Sequence, residues 1–440
     1  MHPRRLKARV PDIVEPAHMQ SCGRIAIFFA IVFLSACGGS ALAPPAPNAV
    51  PPGARISRAT ASGYKQLYAF AGTPDGASPF SGLIAVGGTL YGTTLNGSSN
   101  YCSQSCSNYC YLGCGTVFSI TPGGSENVVY NFKGNFASAH DGSWPFAGLT
   151  KTDGRLFGTT SSAGQYGYGT VYTVTPAGKE RVVYSFMGGG ESDGASPEAP
   201  LVAHRGRLYG TTVSGGGTGC GGGGCGTVYW LTTTGKEFVL YHFSGGTDGD
   251  RLYAPVTIWH DRIYGATLFG GSGCGTVGCG TIFELNLHGK KRVLHDFNGT
   301  DGNFPNGLTV VHGVLYGTTE GGGSRNSGTF FSVTPSGKFT TLYSFKDNPD
   351  ANGPGASLVW YGGNLYGTSV GGGTDGDGTV FKISTSGTEQ VLYSFAAGTD
   401  GADPQGPVYP FHGALYGTTN QGGNGGCGGH GCGTVYTLNP

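Results

Sequence analysis

Charge is what this chain has least of. Asp, Glu, Lys and Arg make up 11% of its 440 residues, with a formal net charge of zero. No Lys/Arg run or basic patch is present, which excludes the electrostatic footprint of a nucleic-acid binder. Long apolar runs are scarce too. The most prominent, Ile25 to Leu34, is ten residues long, too short for a stable membrane-spanning helix. Gly reaches 86 residues without a Gly-X-Y period, so a collagen-like helix is excluded. No His-Glu-x-x-His, Asp-His-Ser arrangement, sialidase-type Asp box or cofactor motif occurs, so neither a resident cofactor nor a metal is expected. No isolated carboxylate pair of the kind a glycosidase needs stands out. Nor does any repeat carry polar residues that break the pattern near a central axis. What the chain does have is 12% aromatic and 38% hydrophobic residues, enough to exclude a disordered glycine-rich polymer.

The N-terminus reads as targeting rather than fold. Arg24 precedes the apolar run, which ends in Leu34-Ser35-Ala36-Cys37 followed by Gly38-Gly39-Ser40. That tetrad resembles a bacterial lipobox, with Cys37 lipidated and residues 1–36 removed as signal peptide. Residues 37–62, rich in Ala and Pro from Ala41 to Pro52, read as a lipid-anchored linker. Removing residues 1–36 takes five basic and two acidic residues from 25 of each, leaving 20 and 23 and a net charge of −3.

Residues 63–440 are repetitive. A Leu-Tyr-Gly-Thr-Thr-like pentad starts at Leu90, Leu156, Leu208, Ile263, Leu315, Leu365 and Leu415. An aliphatic residue precedes each by seven positions. A Gly-Thr motif starts at Gly115, Gly169, Gly226, Gly280, Gly328, Gly378 and Gly433, and a Leu-Tyr-Ser-Phe-like motif follows the first six by fourteen residues. The seventh copy stands at the other end, as Leu67-Tyr68-Ala69-Phe70. Each repeat predicts four short antiparallel strands, A to D, with tight A–B and C–D turns of fixed length. The B–C and D–A connections vary. Seven such units predict an all-β, seven-bladed β-propeller in which the N-terminal segment Gly63 to Phe70 closes the last blade beside Gly433 to Leu438. The recurring motifs resemble the GloVer (Gloeo/Verruco) tandem repeat of exported bacterial proteins. The resemblance implies an exported propeller and no particular chemistry.

Ten cysteines follow the anchor: Cys102, Cys106, Cys110, Cys114, Cys220, Cys225, Cys274, Cys279, Cys427 and Cys432. The last six form three pairs five residues apart, which predicts local disulfides stiffening the B–C loops of an exported protein. The first four allow three pairings. An Asp-Gly step recurs in the D–A loops at Asp75, Asp141, Asp193, Asp248, Asp301 and Asp400, with Asp350 in its place in repeat six. It reads as a turn and blade-junction device rather than a site. Asp375 and Asp377 are weak calcium candidates, lacking the other ligands of an EF-like loop. His260, His312 and His412 read as A–B turn residues. The Tyr of the pentads reads as packing between blades, with the following Gly letting neighbouring sheets approach.

In this topology the variable B–C and D–A loops share one face, where function concentrates on a rigid scaffold. Non-repeated aromatics there are the ligand-face candidates: Tyr101, Tyr109, Tyr111, Trp144, Tyr166 and Tyr168. The expectation is a lipid-anchored envelope protein, on the outer membrane or cell surface. It would serve as a non-enzymatic scaffold for a glycan or an envelope protein, without nucleic acid. An envelope polysaccharide lyase or hydrolase and a purely structural surface protein are the alternatives.

Overall fold

The computed structural model describes residues 63–100, 102, 113–135, 140–188, 193–423 and 426–440. The signal segment, Cys37, the linker, Tyr101, Cys106, Tyr109, Cys110 and Tyr111 lie outside them. The described chain is a seven-bladed propeller, each blade an antiparallel A-B-C-D sheet. Blade 1 runs through Ile84–Val86, Thr89–Thr94, Thr116–Ile120 and Glu126–Asn131. Blade 7 takes Tyr409–Phe411, Ala414–Thr419 and Thr434–Leu438 from the C-terminus and Lys65–Ala69 from the N-terminus, which pairs antiparallel with Thr434–Leu438. The displaced repeat therefore closes the ring. Strands A of neighbouring blades approach one another around the axis.

The fixed spacings have local causes. In all seven A–B turns both central residues have positive φ, from Gly87 (56°) and Gly88 (86°) to His412 (49°) and Gly413 (83°). That is the two-residue type I′ turn, whose twist matches the flanking strands. His260, His312 and His412 occupy its first position. Each strand D carries one bulge against strand C, at the first residue of the Leu-Tyr-Ser-Phe motif. Nothing in the motif's spacing reveals this extra residue, and it re-aims the Tyr and Phe that follow.

Those Phe residues join the blades. Phe70, Phe132, Phe186, Phe243, Phe297, Phe345 and Phe395 each meet the strand C aromatic of the next blade edge-on, with ring centroids 4.9 to 5.3 Å apart. Such pairs add about 0.5–1.5 kcal/mol beyond burial. Pentad tyrosines such as Tyr209 and Tyr416 pack in cores shared with the next blade, as expected.

The two pentad threonines have different partners. The second hydrogen-bonds the Thr of the Gly-Thr motif in its own blade, Oγ1 to Oγ1 at 2.7 to 2.9 Å, in every blade, Ser369 standing in for it in blade 6. The first donates across to a D–A carbonyl of the next blade in five blades, including Thr418 to Ser81 across the chain termini at 2.8 Å.

The pentad Gly does not serve the approach of neighbouring sheets. It makes room for the strand C aromatic of its own blade: a Cβ on Gly317 would lie 2.6 Å from Phe331 Cζ and 3.0 Å from Leu308 Cδ2. Gly317→Ala is expected to destabilise the protein by about 1–3 kcal/mol in a denaturant titration, from overpacking alone.

Candidate functional site

The loop face is a built layer. Each D–A connection forms a short antiparallel ladder with the start of a B–C loop, such as Gly142–Ser143 on Ser162–Ala163 and Gly401–Ala402 on Gln421–Gly422. Five blades carry such strand pairs and two carry single bridges, Ala77 to Asn96 and Asp250 to Phe269. The repeated Asp anchors this layer. A motif Tyr hydroxyl donates to it in six blades, at 2.7 Å (Tyr241 to Asp248) to 3.1 Å (Tyr184 to Asp193), and His295 pairs with Asp301 at 3.0 Å. A backbone N–H also donates to each, such as Lys133 N to Asp141 at 3.0 Å. The Asp ring is thus a blade-junction clamp.

Strand D of the following blade presses a residue onto each clamp. At four junctions it is Glu: Glu126 on Asp75, Glu180 on Asp141, Glu237 on Asp193 and Glu389 on Asp350. Each Glu keeps one buried oxygen without a partner. Burial first, and the adjacent Asp next, push Glu126 and Glu180 up to about 7 and Glu237 and Glu389 up to about 8. At the remaining junctions the Lys291 ammonium lies 2.7 Å from Asp248, Phe339 stacks on His295 at 3.5 Å, and Tyr64 stacks on Tyr393 at 3.8 Å. A cavity of about 430 Å³ opens over the Asp141–Glu180 junction, lined also by Lys133, His140 and Gln165.

Disulfides tie down the B–C loops. Cys220–Cys225, Cys274–Cys279 and Cys427–Cys432 pair locally, and Cys102 pairs with Cys114. Cys114, Cys225, Cys279 and Cys432 are buried, and each bridge packs against a D–A glycine such as Gly245. Bridges of this kind mark an oxidising, extracytoplasmic compartment. Cys220, Cys225 and Asp250 cluster as metal ligands would, but their two sulfurs are consumed by the disulfide.

Of the aromatic candidates, Tyr166 and Tyr168 are 47% and 45% exposed. Trp144 is half-buried, with φ at 61°, its backbone N–H donating to the Cys114 carbonyl at 2.9 Å. Asp375 is exposed, and burial and Asp375 together raise Asp377.

The chemistry that breaks the sevenfold pattern lies where the loop face borders the axis. The residue after each pentad is Leu95, Ser161, Val213, Leu268, Glu320, Val370 and Asn420. The D–A residue with its backbone in the left-handed region is Ser78, Trp144, Ser196, Arg251, Phe304, Gly353 and Asp403. Two positions on stand Phe80, Phe146, Glu198, Tyr253, Asn306, Gly355 and Gln405. Consecutive D–A segments touch around the axis here, with Gly406 against Ser81 and Gly148 against Gly82. Two unlike arcs result. On one, Phe80 and Phe146 stack with centroids 5.3 Å apart. On the other, Asp403 accepts from Gln405 Nε2 at 3.0 Å and from Asn420 Nδ2 at 2.8 Å. Burial, with Asp403 nearby, lifts Glu320 to about 7; burial lifts Glu198 to about 8, with Arg251 pulling it back. The expectation that no blade carries repeat-breaking polar residues near the axis is therefore wrong. The sequence signal of Glu320 and Asn420 is a variable residue inside a constant frame, immediately after Thr-Thr; that of Asp403, Gln405, Glu198 and Arg251 is variation at fixed places in the D–A loops.

The family described as Gloeobacter/Verrucomicrobia repeat matches residues 54–223, 103–310 and 219–431. No curated protein matches the chain. Among solved structures, the chain is similar to a putative 6-phosphogluconolactonase from Bacteroides uniformis, 13% identical over 75% of this chain and 89% of that one, with a TM-score of 0.47. It is also similar to the computationally designed Ika8 protein (12% identical, 86% and 100% covered, TM-score 0.46). A luciferin-regenerating enzyme is 15% identical, with 65% and 88% covered and a TM-score of 0.41. Likenesses this distant speak for neither activity nor ligand.

Proposed function

The chain belongs to the Gloeobacter/Verrucomicrobia repeat family, and on that premise we propose that it is an exported, non-enzymatic binding scaffold whose loop face holds a glycan. One observation carries this reading: the residues that depart from the sevenfold pattern gather at the loop-face end of the axis, aromatic on one arc and carboxyl and amide on the other. A sugar ring is amphipathic in the same way, with an apolar face and hydroxyl edges. Residues 1–36 act as a lipoprotein signal, Cys37 carries the lipid and residues 37–62 are the linker. Strand Lys65–Ala69 starts on the turn face and ends on the loop face. The described propeller thus begins on the turn face, opposite the proposed binding face. A glycan array and an envelope pull-down with residues 41–440 test the reading. Retention of a glycan class is expected. Retention of an envelope protein alone replaces the ligand, and retention of nothing sinks the scaffold.

Glu320 beside Asp403 favours a second reading. A carboxyl lifted to about 7 next to another is a candidate general acid for an envelope polysaccharide hydrolase or lyase. Turnover of any polysaccharide, lost in Glu320→Gln, establishes that reading instead.

A further inference from the structure

The sequence holds no run of Lys or Arg, yet the fold gathers its scattered cations on the turn face. The A–B hairpins of blades 2 to 4 carry Lys151, Arg155, Arg205, Arg207 and Arg262, and those of blades 1, 5, 6 and 7 carry none. The residue after the C–D turn glycine is Lys179, Lys236, Lys290 and Lys338 in blades 2 to 5, against Ser125 and Thr388 in blades 1 and 6. Arg181 and Arg292 follow on strand D of blades 2 and 4. All of these side chains are exposed. The expectation that no basic patch exists therefore fails on this face.

Contacts between the hairpins make it one surface. Arg205 in blade 3 reaches Asp261 in blade 4 at 2.7 Å. Arg262 and Arg292 share Glu284 across blade 4, at 3.1 and 2.7 Å, and Arg292 also donates to Pro335 O in the C–D turn of blade 5 at 2.6 Å. In blade 3, Arg207 and Lys236 cap Trp230 and Phe238, whose rings stack at 4.2 Å. The C–D turn of blade 3 lies on strand D of blade 2, where a Cβ on Gly235 would clash with the Val183 carbonyl.

Acidic residues do not balance this charge. Asp261 and Glu284 are taken up by Arg205, Arg262 and Arg292, and Asp153 stands beside them. The junction carboxyls Glu180 and Glu237 each keep one oxygen buried. Among the described residues, Lys151, Arg155, Lys179, Lys290 and Lys338 have no ion-pair partner. Every A–B turn has two central residues, and the C–D turns of blades 1 to 6 share one length, so the surface is level. Among the described residues no helix projects from it to enter a nucleic-acid groove. The disulfides mark a compartment outside the cytoplasm. A broad, level, cationic surface in that compartment complements anionic membrane headgroups, to which each Lys or Arg adds attraction.

We propose that the turn face of blades 2 to 5 docks on an anionic lipid surface, which leaves the loop face open to its ligand.

The test is co-sedimentation of residues 41–440 with vesicles of phosphatidylcholine, alone or with about 30% phosphatidylglycerol. This chain lacks the lipid proposed for Cys37, so the result is independent of that anchor and of the glycan reading. Retention on the anionic vesicles alone is expected, and its loss in about 1 M salt, where the screening length falls to about 3 Å. The combined change Lys179→Ser, Lys236→Ser, Lys290→Ser and Lys338→Ser, which installs the residue of blade 1, should weaken binding at least about a hundredfold, at roughly fivefold per cation. Lys151→Gln with Arg155→Gln should weaken it at least about tenfold, and keeps the face testable if the first variant folds poorly. Lys133→Gln with Lys346→Gln, on the loop face, should leave binding unchanged. No retention on anionic vesicles overturns the proposal, as does retention that ignores vesicle charge or survives both turn-face variants. Binding of polygalacturonate through the same lysines, without retention on vesicles, overturns it in favour of an acidic polysaccharide.

Discussion

A chain that begins at Thr73 is expected to lose its cooperative melt or to melt at least about 10 °C below the parent. The truncation removes strand Lys65–Ala69, which pairs with Thr434–Leu438 along its outer edge. It also removes fully buried Phe70, which sits edge-on to Phe118 at 5.1 Å and so joins blade 7 to blade 1. Tyr64 goes as well, stacked on Tyr393 and donating to Asp400 at 2.8 Å. Burial of one Phe is worth about 1.5–3 kcal/mol, and a strand with two further aromatics brings the loss to roughly 5 kcal/mol or more, comparable to the whole stability of a typical domain. The open edge left behind invites association. Adding a peptide of residues 63–72 should restore part of the lost Tm. A truncated chain that melts with the parent shows that the ring is not closed by this strand.

The protein is expected to be most stable near pH 5 and to lose stability steadily through pH 8. Glu126, Glu180, Glu237 and Glu389 hold their protons to about 7 or 8 in the fold, against an ordinary 4.5. The folded ring therefore binds protons that the unfolded chain has already released. Its stabilisation is complete below about 4.5 and is lost as pH rises through the folded values. The carboxyls are partly open to solvent, so each contributes about 1 kcal/mol after screening, roughly 4 kcal/mol together. His295 acts the other way: burial lowers it from 6.5, so its share of stability is lost as pH falls below that value. Melting curves from pH 5 to 8.5 should show a fall of about 5 °C or more. Replacing the four Glu by Gln should flatten the profile. A profile that rises toward pH 8 contradicts the assignment of buried acid pairs to these junctions.

The architecture was legible because a repeat writes each contact seven times. The pentad marked strand B, the constant A–B length followed from a type I′ turn, and Leu67 announced the closing strand. The strand D bulge was not legible, since an extra residue present in every copy leaves all spacings equal. The junction carboxyls were half legible. The Asp appeared as a turn former, but its Glu partner belongs to the next blade, about 40–50 residues on in the chain, and only the packing of strand D on the clamp reveals it. The bordering residues Glu320, Asp403 and Asn420 were hidden for a different reason. Glu320 and Asn420 lie just after their pentads, where the other blades carry Leu, Val or Ser, and Asp403 lies in a D–A loop at a position that varies from blade to blade. A search for repeated motifs discards the odd members at such positions, and these are the members that carry chemistry.

The central claim is that repeated residues hold the ring and the unrepeated ones around its loop-face mouth hold the ligand. The most direct measurement is one glycan array run with three forms of residues 41–440: the parent, Phe146→Ala with Gln405→Ala on the loop face, and His260→Ala with His412→Ala on the turn face. The prediction is that binding falls at least about tenfold, roughly 1.4 kcal/mol, in the loop-face form alone. Binding that survives the loop-face changes and is lost with the turn-face pair contradicts the claim.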